Sequence, residues 1–178
     1  MPAPHSIKKL LNLVISLNSR GLESGDPRPG KEGRRALDYI EAALDSQDTL
    51  DRVIVLLGTN ELKHEMNMTV EQVCESVGKL LNIIKTRPSQ FRGTTPKVLL
   101  LSPPTINEET EYCRTGDKYL GATEKSKELV GVYGRLATKL GVDFVALDEI
   151  TAGVDGIHID ADEHVKVADL VYAALISQ

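Results

Sequence analysis

The residues whose types and spacing best suit chemistry are a carboxylate and an imidazole, Asp155 and His158 in Asp155-Gly156-Ile157-His158, and an amide, Asn60, in Gly58-Thr59-Asn60-Glu61. A carboxylate that accepts from one imidazole nitrogen fixes the tautomer, which leaves the other nitrogen able to take a proton from a hydroxyl nucleophile. An Asn amide at a sheet edge can donate to the oxyanion that develops as a carbonyl is attacked, a contribution of about 3 to 4 kcal/mol in a well-studied hydrolase. Neither motif decides the matter alone. Gly58-Thr59-Asn60 reads more simply as a turn, and a histidine three residues beyond an aspartate reads equally as a hydrogen-bonded loop side chain.

Four short apolar runs rich in β-branched residues and leucine are expected as buried parallel strands: Leu13 to Ser16, Val53 to Leu57, Val98 to Leu101 and Phe144 to Leu147. Helical patterns alternate with them. The clearest is expected to open at Thr69 with Gln72 three residues on, a capping-box spacing, to carry Val70, Val73, Cys74, Val77, Leu80, Leu81 and Ile84 on one stripe, and to stop at Pro88. A second opens near Thr123, carries Leu129, Val132, Tyr133, Leu136 and Leu140, and meets Gly141 at its C-terminal end. Leu37, Ile40 and Leu44 mark a helix ahead of the second strand, and Ala168, Val171 and Leu175 mark the last one. Alternating strands and helices predict an α/β fold with a parallel sheet covered on both faces. In such sheets ligand-binding residues collect beyond the carboxyl ends of the strands, which is where Gly58-Thr59-Asn60-Glu61 follows its strand. Arg20 to Gly33 and Pro103 to Gly121 are long for plain connections and are expected to be active-site or interface loops.

The 178 residues suit one domain, and their aliphatic composition, with 4% aromatic residues and no Trp, suits an α/β core. A net charge of −5 without a basic block argues against nucleic acid as a partner. Cys74 and Cys113 stand far apart and outside any metal-ligand spacing, so no metal and a reducing, cytoplasmic setting are expected. No apolar run approaches the ~20 residues a membrane span requires, so no membrane partner is expected. The apolar patch near the start is broken by Asn12 and has no cleavage site after it, so it is not read as a signal peptide. His64 and His164 read as surface or supporting residues, and His5 as part of a frayed end. Ser16 to Arg20 holds no glycine, which argues against a phosphate-binding loop.

Taken together, the Gly58-Thr59-Asn60-Glu61 and Asp155-Gly156-Ile157-His158 motifs resemble the third and fifth sequence blocks, Gly-x-Asn-Asp and Asp-x-x-His, of the SGNH (GDSL-like) hydrolase family. The run Val55 to Lys63, the run Gly121 to Leu140 and the stretch Asp155 to Asp160 look like its arylesterase, acetylesterase and acyltransferase-like members, and the resemblance spans roughly residues 13 to 178. It implies a three-layer α/β/α, flavodoxin-like fold and a serine esterase acting on small acyl esters without a cofactor. It further implies a homo-oligomer, with His158 as general base, Asp155 as its orienting partner and Asn60 as an oxyanion donor. Glu61 departs from the family's Asp by one methylene, which would shift the acceptor within that turn.

The family's first block, Gly-Asp-Ser, does not occur in the sequence. The nearest string, Gly25-Asp26-Pro27, puts a proline in the serine's place, and proline has neither hydroxyl nor N–H. Ser16 aligns with the second block, normally an oxyanion-hole glycine, with Gly21 as the alternative. Ser16, Ser19 and Ser24 remain as substitute nucleophiles, each of which reads more simply as a loop hydroxyl. The expectation is a single domain over residues 1–178 that begins late, without the family's first strand. It is then either an esterase whose full version supplies the serine upstream, inactive or impaired as it stands, or a non-catalytic remnant that serves as a binding module.

Overall fold

The computed structural model describes residues 35 to 177. The expected Leu13 to Ser16 strand, the Arg20 to Gly33 stretch, Gly25-Asp26-Pro27, and Ser16, Ser19 and Ser24 all lie outside them.

Within the described residues the chain runs α1 (Ala36–Ser46), β1 (Arg52–Leu56), α2 (Val70–Thr86), β2 (Lys97–Leu101), α3 (Glu111–Arg114), α4 (Ala122–Leu140), β3 (Asp143–Val145) and α5 (Glu163–Ile176), with 3-10 turns at Thr59–Leu62, His64–Met66 and Thr115–Asp117. The strands form a parallel sheet in the order β1-β2-β3, with Leu56 beside Leu101 and Leu101 beside Val145. All three therefore end at one edge, and the loops that leave it face a common rim.

The strand alternation sorts side chains to two faces. Val53, Val55, Val98 and Leu100 point to the larger core, which α1, α2 and α4 complete. Ile54, Leu99, Leu101 and Val145 point to the other face, where Val167, Val171, Ala174 and Leu175 of α5 cover them. This is the expected three-layer arrangement, built unequally: α5 contains no buried residue, whereas α2 contributes eight.

The helix ends follow the local chemistry. Thr69 accepts from the Gln72 N–H, and the Gln72 side chain accepts from the Thr69 N–H at 2.9 Å, so the capping box is complete. Thr69→Ala is expected to destabilise the fold by about 1 kcal/mol, measurable by urea denaturation, with no change in the denaturant slope. Arg87 turns to extended backbone, as a residue ahead of Pro88 must, and α2 ends there. Gly141 takes the left-handed conformation after α4, with its N–H on the Thr138 carbonyl and the Val142 N–H on that of Ala137.

β1 and β2 each begin one residue before expectation, at Arg52 and Lys97, and β1 ends one residue early at Leu56; two differences are larger. The strand expected over Phe144 to Leu147 is β3, which ends at Val145. Ser102 explains the early end, because its N–H takes the Val145 carbonyl while its hydroxyl accepts the Leu147 N–H at 2.9 Å, so a side chain replaces the ladder. β3 is also only half-buried. The Pro103 to Gly121 segment is not a plain loop either. Thr110 caps α3 by accepting from the Cys113 N–H, and Ile106, Cys113 and Tyr119 are buried in the larger core. Among the described residues no helix is long and apolar enough to cross a membrane.

Candidate functional site

Asn60 leaves the carboxyl end of β1 through Gly58, whose φ of +123° suits glycine alone, and enters the 3-10 turn Thr59–Leu62. A Cβ on Gly58 would fall well inside contact distance of the Tyr133 hydroxyl. That hydroxyl, on a fully buried ring of α4, donates to the Leu57 carbonyl at 3.0 Å and so fixes the approach to the turn. Burial pushes the Tyr133 phenol well up, and the Glu61 carboxylate adds to the rise, so it acts as a neutral donor. Glu61, within the same turn, is buried, 1% exposed.

Asp155 and His158 are brought together in the loop between β3 and α5. The two carboxylate oxygens of Asp155 have different tasks. Oδ1 accepts the backbone N–H groups of Ile157 and His158, each at 2.9 Å, and so folds the turn. Oδ2 pairs with His158 Nδ1. An acceptor at Nδ1 places the proton there in the neutral ring, so Nε2 is left as the basic nitrogen and points away from Asp155. The ring is 78% exposed and the Asp155 side chain 30%.

Partial burial pushes the Asp155 carboxyl up, but the bonds from the His158 ring and from the backbone N–H groups of His158 and Ile157 outweigh it and hold the carboxyl below its usual value of 3.8. A depressed folded value contributes stability above the unfolded one, and that contribution is lost as pH falls through the folded value, so the sensitive window lies below pH 3.8. A carbon-detected titration is expected to put the Asp155 midpoint under 3.8 and to show it rising in His158→Ala; a midpoint indifferent to that substitution contradicts the pairing.

The segment between β2 and α4 joins the two halves. The His64 N–H, just past the Asn60 turn, donates to the Lys118 carbonyl at 2.9 Å, and the Asn107 N–H donates to the Gly156 carbonyl at 2.9 Å. The Thr110 hydroxyl donates to the Asp155 carbonyl at 2.9 Å, and the Cys113 thiol approaches the same oxygen at 3.3 Å. Asn60 and the Asp155-His158 pair thus belong to loops knitted together at the carboxyl rim of the sheet. Ser16 lies outside the described residues. His64 and His164 are both exposed, at the surface. Among the described residues no group of three or more His, Cys, Asp or Glu side chains is placed to hold a metal ion.

This frame has close counterparts among solved structures. A carbohydrate acetylesterase from Sinorhizobium meliloti superposes with a TM-score of 0.77 at 32% identity, over 86% of this chain and 74% of that one. The chain belongs to the SGNH hydrolase family. The aryl esterase of M. smegmatis shares the SGNH arrangement at a TM-score of 0.74 and 29% identity, over 87% of this chain and 74% of that one. A carbohydrate acetylesterase family member from Sinorhizobium meliloti, at 22% identity and a TM-score of 0.78 over 89% of this chain and 76% of that one, shares the fold. No protein-family model matches the sequence, and no curated protein matches it significantly.

Reading the SGNH motifs from sequence located the pair and the Asn60 turn but missed Tyr133, which appeared only as one member of an apolar stripe, and Thr110. Tyr133 carries no sequence signal beyond being a tyrosine among aliphatic residues. The signal available for Thr110 was its place as a threonine before Glu111-Tyr112-Cys113, a helix-capping position inside a stretch read as irregular.

Proposed function

We propose that this chain carries the base, its orienting carboxylate and an oxyanion donor of an esterase acting on small acyl esters through an acyl-serine. His158 Nε2 takes the proton of the serine hydroxyl as its oxygen attacks the ester carbonyl, Asp155 holds the ring in the tautomer that permits this, and Asn60 donates to the carbonyl oxygen as it gains charge. The alcohol leaves with the proton from His158; water then attacks the acyl group by the same route and frees the carboxylic acid. In this reading no cofactor is used, Ser16 aligns with the family's second block as a further oxyanion donor, the chain is one domain, and the attacking serine is supplied by a Gly-Asp-Ser block that these residues do not contain.

The observation that carries the proposal is the His158 Nδ1 to Asp155 Oδ2 pair, on loops at the same sheet edge as Asn60. The carbohydrate acetylesterase and aryl esterase structures support small esters as substrates. Cys74 and Cys113 are both free, which supports a reducing, cytoplasmic setting. Gly25-Asp26-Pro27, where proline replaces serine, favours a second reading in which the fold is kept as a non-catalytic binding module. Translation of the gene upstream of Met1 separates the two: an in-frame Gly-Asp-Ser, with turnover of p-nitrophenyl acetate by the longer product, supports the esterase. A longer product that carries the serine and stays inert overturns it.

A further inference from the structure

We propose that Thr110, assisted by Cys113, is a positioning residue that holds the Asp155-His158 pair in working geometry from the segment after β2. The proposal rests on the reading of that pair as carboxylate and base.

The His158 ring is largely exposed, so packing does not fix it, and its orientation depends on how firmly the backbone of the turn is held. Besides the bonds to Asp155 Oδ1, two backbone bonds are internal to the turn: the Gly156 N–H donates to the Gly153 carbonyl at 2.8 Å and the Gly153 N–H to the His158 carbonyl at 2.7 Å. They shape the turn without attaching it to anything. Ile157, 6% exposed, seats it in the larger core, and its polar attachment comes from the β2–α4 segment, through Thr110 and Cys113 on the Asp155 carbonyl and the Asn107 N–H on the Gly156 carbonyl. Asp155 is thus gripped at its backbone carbonyl by one segment while its side chain grips His158.

The gripping segment is itself seated in the core. Cys113 is 1% exposed and Tyr119 3%, the Tyr119 N–H returns to the Cys113 carbonyl at 3.4 Å, and the Ile106 N–H is bonded to the Ser126 hydroxyl of α4 at 3.0 Å. The approach of the two loops is also close enough to demand glycine. A Cβ on Gly156, where φ is +79°, would meet the Asn107 carbonyl oxygen and lie 2.7 Å from Thr110 Oγ1 and 2.9 Å from its Cγ2. The hydroxyl of Thr110 has a single proton, and its shortest acceptor is Asp155 O, at 2.9 Å against 3.3 Å for Asn107 O. Valine in its place keeps the shape but removes both that bond and the acceptor for the Cys113 N–H, whereas Cys113→Ala leaves the cap in place.

The test uses the 178-residue chain and needs no turnover. Nitrogen-15 shifts of the neutral His158 imidazole report which nitrogen carries the proton. The unsubstituted chain is expected to show the Nδ1–H tautomer. Thr110→Val is expected to shift the population toward the Nε2–H form that predominates in a free histidine, and Thr110→Ser to restore the original spectrum. Should Thr110→Val lose the fold, Cys113→Ala withdraws the weaker donor from the same carbonyl and is expected to give a smaller shift in the same direction. An Nδ1–H tautomer that persists in folded Thr110→Val, or in Cys113→Ala where the first variant does not fold, overturns the positioning role alone. Mixed tautomers in the unsubstituted chain overturn the base-and-carboxylate reading itself, and this proposal with it.

Discussion

Hydrolysis of p-nitrophenyl acetate by the 178-residue chain is expected to stay near the uncatalysed rate, and in a product extended upstream to include Gly-Asp-Ser, His158→Ala is expected to lower kcat by about 10⁴-fold or more. The two halves of this expectation have one cause. An imidazole held by Asp155 is a competent base, but the acyl-enzyme route needs a hydroxyl within about 3 Å of Nε2 for the proton to pass during attack. With the serine present, removal of the ring takes away both the proton acceptor of the attack and the proton donor of the departing alcohol. The residual rate is then what the oxyanion contacts and substrate binding supply by themselves. Steady-state kinetics on the paired proteins check this. Activity in the 178-residue chain that His158→Ala abolishes would mean that the nucleophile is one of its own hydroxyls, with Ser16, Ser19 and Ser24 the first to replace. Activity in the extended product that ignores the substitution would end the esterase assignment of His158.

The second large effect concerns stability and the Asn60 turn. Gly58→Ala is expected to destabilise the fold by about 3 to 5 kcal/mol, combining a backbone conformation that L-residues rarely adopt with overpacking against a buried tyrosine. For a chain of this size that corresponds to a fall in Tm of roughly 10 °C, readable by calorimetry. The added methyl has nowhere to go because the Tyr133 hydroxyl occupies its place and is itself bonded to Leu57 O at 3.0 Å. Tyr133→Phe makes room at the cost of that bond. The double variant is therefore expected to be less destabilised than the sum of the two single ones. Strict additivity would show that the hydroxyl does not set the space around Gly58.

Much of this architecture is legible in the residues because it is decided locally. The capping box at Thr69 and Gln72, the arrest of α2 before Pro88 and the glycine after α4 each depend on a few neighbouring side chains, and all three lie where their chemistry puts them. The alternation that sends Val98 and Leu100 to one face and Leu99 and Leu101 to the other is equally local. What escaped is non-local. β3 ends early because Ser102, the residue just past the neighbouring strand, takes over its bonds, and the Pro103 to Gly121 stretch gains a helical turn because Cys113 and Tyr119 find a core to enter. The candidate site divides in the same way. Asp155 and His158 meet within one turn and are visible as a spacing, whereas the bond from Thr110 to Asp155 spans 45 residues and leaves no trace in either motif.

One carboxylate shapes the Asp155 turn with one oxygen and orients the ring with the other. The two tasks can therefore be parted. An Asp155→Asn exchange leaves one oxygen to accept the two N–H groups but turns an amide donor toward Nδ1, which keeps the turn and reverses the tautomer. A lineage that abandoned the chemistry would then be free to lose the charge at position 155, yet still be constrained to keep an acceptor there for as long as it kept the turn.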